Sequence, residues 1–321
     1  MQSTPRILVV LGTGGTIAGE SAGPDDDLAY RSAARPVAQL VGAIAAPAGC
    51  TLESEQVAQL DSKDMDFAAW RRLALRVAFH LARAEVAGVV VTHGTDTLEE
   101  TAYFLQRVLA PVKPVVLTAA MRPATSRHAD GPQNLRDAMA VAAASEARGV
   151  LVVVADTVHA GDEVRKVHPQ RRAAFGSGDA GPLARVDEGR LRMLRGWPEG
   201  GAAQDLAVLP EDEADWPWVA TVATGAGADG RVVDALVAAG VDGIVVAATG
   251  NGTIHHALAA PLRAAAARGC AVLRATRCLA GAIVEHPSKE LEGLPSAGAL
   301  TPQQARVELI VRLLEQRAAR R

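Results

Sequence analysis

Two stretches of the chain gather hydroxyls, glycines and a carboxylate where apolar runs end. VVLGTGGTIAGE, Val9 to Glu20, sets Thr13 and Thr16 among glycines, and THGTDTLEE, Thr92 to Glu100, sets Thr95 and Asp96 just after His93. Glycine between threonines opens backbone angles closed to other residues and lets a ligand approach the main chain. Three uses fit the first stretch. It is a tight turn whose threonines bond backbone groups, a phosphate cradle, or the seat of a threonine nucleophile. The cradle is the weakest of these: the lysine of GxxxxGK[ST] is missing, and the partial match to GxGxxG lacks a ribose-binding acid about twenty residues on. A threonine hydroxyl attacks poorly near neutral pH, so the nucleophile reading for Thr16 requires a base and a group that keeps the base poised. Asp96 offers a carboxylate, although it equally suits the N-cap of a following helix with Glu99 completing a capping pattern. His93 either titrates or satisfies backbone groups at its strand end.

Positioning such groups requires a rigid frame. Short runs rich in Val and Ile (RILVVLG, GVVVTHG, KPVVLTA, GVLVVVA) alternate with helical patterns such as DFAAWRRLALRVAFHLARA and TLEETAYFLQRVLA. Alternation of this kind predicts β-α-β units and a mostly parallel sheet, with ligands beyond the carboxyl ends of the strands. Four polar turns follow expected strands: TGGT, DSKDM, HGTDT and AAMRPATS. The fold class expected is α/β, with a larger domain over 1–190, a Gly-, Pro- and acid-rich linker over 191–216, and a smaller α/β domain over 217–321. The segment GESAGPDDDLAY before Tyr30 has the composition of a mobile lid.

Composition narrows the classes of function. With 33 Lys and Arg against 36 Asp and Glu, the net charge of −3 predicts no nucleic-acid partner. Every apolar run is interrupted short of the ~20 residues needed to span a bilayer, so no membrane span is expected. No charged, apolar and small-residue segments stand in signal-peptide order at the start, which makes the expected location cytoplasmic. Three cysteines, Cys50, Cys270 and Cys278, form no Cys-x-x-Cys arrangement and read as reduced thiols, and the scattered histidines predict no metal site.

The two opening stretches resemble the two signature motifs of the bacterial-type L-asparaginase/glutaminase family. The similarity continues in order through DSKDM, KPVVLTAAMRPATSRHADGPQNLRDA, GVLVVVADTVHAGDEVRK, DGIVVAATGNGT and GALTPQQARV, which covers essentially the whole chain. It implies hydrolysis of a side-chain amide to a carboxylate and ammonia, without a cofactor. It also implies that Thr16 is the acylated nucleophile, that lid Tyr30 bonds to it, and that Thr95, Asp96 and Lys166 form the proton-moving group. By the same resemblance Ser62 and Asp96 grip the α-carboxylate and α-ammonium of a free amino acid. Backbone N–H groups at the turns of Thr16, Thr95 and Ala120 would face the developing oxyanion. Asn251 is the implied contact across a subunit interface, and the expected assembly is a homotetramer of close dimers.

At two places the chain departs from the family pattern. Lys63 stands where the family commonly has a glutamine after the serine, a positive charge near the expected α-ammonium. In RCLAGAIVEHPSKELEG, either Glu285, Glu290 or neither supplies the glutamate that many relatives send to a neighbouring subunit. The resulting expectation is an L-asparaginase acting on a small-molecule substrate. The alternatives are a broad glutaminase-asparaginase and, in a different class, a catalytically silent amino-acid-binding protein.

Overall fold

Runs that are apolar on both faces suit strands covered by helices on both sides of a sheet. The computed structural model describes residues 6–23, 25–198, 203–286 and 291–320. They fall into two compact units, the first ending at Leu206 and the second starting at Ala207.

In chain order the first unit contains β1 (Arg6–Gly14), β2 (Glu20–Ser21), β3 (Tyr30–Arg31), α1 (Val37–Gly42), β4 (Cys50–Leu60), α2 (Phe67–Leu81), β5 (Val86–Thr92) and α3 (Leu98–Leu109). It continues with β6 (Val115–Thr118), α4 (Gly131–Ala143), β7 (Val150–Val154), β8 (Thr157–Ala160), β9 (Arg165–Lys166), β10 (Phe175–Gly176), β11 (Ala184–Asp187) and β12 (Arg190–Met193). Eight strands make one sheet in the order β12-β11-β8-β7-β6-β5-β1-β4. The strands from β7 to β4 pair in parallel, whereas β8, β11 and β12 join antiparallel. From β1 the chain passes to β4 on one side and then to β5 on the other. The crevice at the ends of β1 and β5 is therefore a reversal point of strand order, where open α/β sheets bind ligands.

One face of the sheet carries Leu8, Val10, Val90 and Val116, packed against Val37 of α1 and Leu135 and Met139 of α4, all buried. Helices α2 and α3 cover the other. There Trp70 stacks on Phe104 with ring centroids 4.8 Å apart, and its Nε1 donates to Thr101 Oγ1 at 2.9 Å. The pairing satisfies the indole's one polar group where water is excluded.

The structure departs from the expected linker at its start. Leu191 to Met193 belong to β12, which pairs with β11 and extends the first unit's sheet, because the two-residue turn Glu188–Gly189 takes positive φ at both positions and closes a hairpin. The expected lid also has a frame. Strands β2 and β3 pair as a short antiparallel ribbon, Ser21 opposite Tyr30.

The second unit repeats the alternation on a smaller scale: β13 (Val219–Ala223), α5 (Arg231–Ala238), β14 (Gly243–Ala248), α6 (His256–Ala267), β15 (Ala271–Thr276) and α7 (Pro302–Ala318). Its three strands are parallel in the order β13-β14-β15, over a core that includes Val222, Val246, Leu258 and Leu262. Helix α7 opens with a capping box between Thr301 and Gln304.

Candidate active site

The TGGT turn forms because β1 ends in residues that only glycine can supply. Gly14 has φ 107° and Gly15 has φ 79° with ψ −175°, a region open essentially to glycine alone. A Cβ on Gly14 would lie 2.3 Å from the Leu60 carbonyl oxygen, and one on Gly15 would lie 2.4 Å from Gly94 Cα. A Cβ on Gly94 would in turn meet Ser62 Oγ at 2.4 Å. The TGGT and HGTDT turns thus pack main chain on main chain, and the Ser62 side chain closes on Gly94. Thr13 shapes the turn by donating from Oγ1 to the Thr92 carbonyl at 2.9 Å. Thr16 follows in a 3₁₀ turn, Thr16–Ala18, buried, with its Oγ1 2.8 Å from the Tyr30 hydroxyl.

On the facing turn, Thr95 is buried and accepts from Lys166 Nζ at 2.9 Å, while the same ammonium reaches Asp96 Oδ1 at 2.6 Å. Capping does not occupy Asp96: Thr97 is the N-cap of α3 and makes no side-chain capping bond. Ser62 sits in the turn after β4, where its Oγ accepts the Asp96 N–H at 3.2 Å and its carbonyl accepts from Thr97 Oγ1 at 2.7 Å. The structure therefore brings Thr16, Ser62, Thr95 and Asp96 together on neighbouring turns, with Tyr30 of β3 bonded to Thr16 and Lys166 of β9 bonded to Thr95 and Asp96.

Ala120 lies at the start of the fourth turn, buried beside the start of α4, where a Cβ on Gly131 would lie 3.4 Å from the Ala120 Cβ. Just beyond, the Met121 and Arg122 N–H groups both donate to the Asp130 carboxylate. This loop also holds the lid. Ser21 N–H donates to Thr125 Oγ1 at 2.9 Å, Ser126 Oγ donates to Asp27, and Arg122 pairs with Asp27 at 3.1 Å.

Two buried groups near these turns titrate away from their ordinary ranges. Burial without a counter-charge pushes His93 down to about 4, so its ring is neutral, and its Nδ1 donates to the Gly94 carbonyl at 2.7 Å. That tautomer serves the turn, the backbone-satisfying alternative for His93. Burial pushes Glu99 up to about 7, against the Lys166 N–H that its Oε2 accepts at 2.6 Å. The sequence placed Glu99 in a capping pattern and missed this contact, which spans 67 residues and leaves no local signal.

Lys63 is 61% exposed, and its ammonium lies 3.0 Å from both Asp61 and Asp64. Asn251 belongs to the second unit, outside the group assembled above. Its side chain bonds both ways with Val284, Nδ2 to the carbonyl at 2.9 Å and Oδ1 from the N–H at 2.8 Å. Beside it Glu285 takes Arg274, a fully buried guanidinium, at 2.9 Å and the Ser296 N–H at 3.0 Å. Glu290 lies outside the described residues.

The chain matches two family models, "Asparaginase, N-terminal" over residues 7–198 and "Glutaminase/Asparaginase C-terminal domain" over residues 218–320. It is 38% identical to L-asparaginase 2 of Escherichia coli, over 96% of this chain and 89% of that protein. It is 35% identical to a glutaminase-asparaginase of Pseudomonas fluorescens, over 95% of this chain and 86% of that protein. A crystal structure of a probable cytoplasmic L-asparaginase from Campylobacter jejuni superposes with TM-score 0.85 at 34% identity, covering 96% of this chain and 95% of that one. With both family models matched in order across nearly the full length, on a sheet whose reversal point carries the two threonine turns, the chain belongs to the asparaginase family.

Proposed function

We propose that the protein is an L-asparaginase that hydrolyses L-asparagine to L-aspartate and ammonia through an ester on Thr16. The observation that carries this reading is the pair of hydroxyls on touching turns, each with its own partner: Thr16 Oγ1 at 2.8 Å from Tyr30 OH, and Thr95 Oγ1 at 2.9 Å from Lys166 Nζ. A hydroxyl becomes a useful nucleophile when a neighbour takes its proton as the bond forms.

In the first half-reaction Thr16 Oγ1 attacks the side-chain amide carbon. Its proton passes by way of Tyr30 to the amide nitrogen, the C–N bond breaks and ammonia leaves. In the second, water attacks the Thr16 ester, a proton passes through Thr95 and Lys166 beside Asp96, and the Thr16 hydroxyl is restored with release of the carboxylate. Negative charge on the former carbonyl oxygen faces backbone N–H groups of the turns at Thr16, Thr95 and Ala120, the arrangement that stabilises such intermediates most. Ser62 and Asp96 hold the α-carboxylate and α-ammonium, which confines the site to a free amino acid.

Asn251, carried on a segment tied to Val284, serves a neighbouring subunit's site in a homotetramer. Glu285 does not reach across in this assignment, since Arg274 and Ser296 engage it within its own chain. The compartment proposed is the cytoplasm, the location named for the Campylobacter jejuni protein, and cell fractionation tests it.

Ammonia release from L-asparagine and L-glutamine, measured side by side, tests the reaction and ranks the amides. The two substrates differ by one methylene, worth about 1–3 kcal/mol in a pocket. Turnover of asparagine that disappears in Thr16→Ala is the expected result. Undiminished ammonia release by Thr16→Ala refutes the Thr16 ester.

A further inference from the structure

Lys166 stands on a weak support. Its strand β9 is two residues long and pairs only with the equally short β10, Lys166 opposite Phe175, outside the eight-stranded sheet. A four-carbon side chain on such a strand has many rotamers, and ordering it costs conformational entropy. The ammonium nevertheless reaches two oxygens at once, Thr95 Oγ1 and Asp96 Oδ1.

The other end of the same residue is also held. Glu99, buried in the first turn of α3, accepts the Lys166 N–H on Oε2 at 2.6 Å. Thr95, Asp96 and Glu99 belong to one loop and helix start, so residues 95–99 grip Lys166 at both its main chain and its ammonium. Helix α3 is itself anchored by the Thr101 and Phe104 contacts to Trp70, which fixes Glu99 in the frame of the first unit.

We infer that Glu99 is a positioning residue for the reaction proposed above: by holding the Lys166 N–H, its carboxylate fixes the lysine backbone at the distance that brings the ammonium onto Thr95 and Asp96. The inference rests on the reading of Lys166 as the proton-moving partner of Thr95. Glu99 bonds the Lys166 main chain, and it acts through Lys166.

The test compares wild type, Glu99→Met, Glu99→Gln and Glu99→Asp in full-length protein, with kcat and KM for L-asparagine and thermal unfolding for each. Methionine fills the same space without an acceptor. Glutamine keeps an acceptor oxygen at the same reach, and aspartate keeps the charge but falls one methylene short. Glu99→Met and Glu99→Asp are expected to lose about tenfold or more in kcat with KM within about threefold, and Glu99→Gln to stay within about threefold of wild type. Wild-type kcat in a folded Glu99→Met overturns the inference, as does a Glu99→Gln as impaired as Glu99→Met. Should Glu99→Met not fold, wild-type kcat in Glu99→Asp overturns it equally. Absence of asparagine turnover in wild type itself is a different result, one that removes the proposed function and the role assigned to Glu99 with it.

Discussion

Gly15 and Gly94 meet main chain to main chain, so closely that a Cβ on the first would sit 2.4 Å from the Cα of the second. Real Cβ atoms do not tolerate that distance, and Gly15 already has backbone angles that L side chains avoid. Gly15→Ala is expected to force the two threonine turns apart. The strained backbone alone costs about 1–3 kcal/mol, and ammonia release should fall at least about a hundredfold as Thr16 leaves its place. Urea unfolding and kinetics on the same preparation check both parts.

Arginine at position 166 tests whether the ammonium's shape matters. A planar guanidinium cannot place one compact cation 2.9 Å from Thr95 and 2.6 Å from Asp96 on the same stem. Lys166→Arg should therefore lower kcat by about 10²–10⁴, the range expected for losing a proton-transfer group, with unfolding close to wild type.

Glu99 also gives stability a pH dependence of known sign. Burial raises its carboxyl to about 7 in the folded chain from an ordinary value of 4.5. Between those values the native state keeps a proton that the unfolded chain releases, so stability falls as pH rises and the loss is complete above about 7. The difference corresponds to about 3 kcal/mol as an upper figure. Relative to wild type, Glu99→Gln should gain stability from pH 4.5 to pH 8, and urea unfolding of both proteins at pH 4.5, 6 and 8 reads the slope. Parallel curves for the two proteins would show that burial does not raise this carboxyl.

Lys63 is neutralised by two carboxylates at 3.0 Å and faces solvent. Exposed pairs of this kind are screened by solvent and contribute little, so Lys63→Gln should leave the urea midpoint of unfolding close to that of wild type. With its charge already balanced by Asp61 and Asp64, kcat/KM for asparagine should stay within about threefold of wild type. A larger change in KM would show that this ammonium, not the aspartates, governs charge near the substrate's amino group.

Most of the sheet was legible because its strands are buried on both faces and read as unbroken apolar runs, Leu8 to Leu11 and Val89 to Val91 among them. Amphipathic period marked α2 and α3 in the same way. Pairings that bury little apolar surface left no such trace: the β2–β3 ribbon, the β9–β10 pair and the exposed hairpin strand β12, whose residues passed for linker. Local patterns were ambiguous at the site itself. TDTLEE has the composition of a helix cap, yet Asp96 and Glu99 both spend their oxygens on Lys166, seventy and sixty-seven residues away. Spacing cannot reveal a partner at that range, and only the family resemblance pointed to Lys166. Asn251 was legible as a residue type in TGNGT, but its two-way bond to Val284 depends on a return of the chain that no periodicity announces.

The ribbon that carries Tyr30 is moored to a loop on the far side of the crevice mouth, through Ser21 to Thr125 and through Asp27 to Arg122 and Ser126. Swinging Tyr30 away from Thr16 on that ribbon breaks those moorings. The hold on Tyr30 thus extends to residues 122–126, of which Pro123 and Ser126 are buried and the rest half-buried. A substitution at Thr125 or Arg122 would therefore loosen the ribbon from a distance, and its effect would be felt at Tyr30.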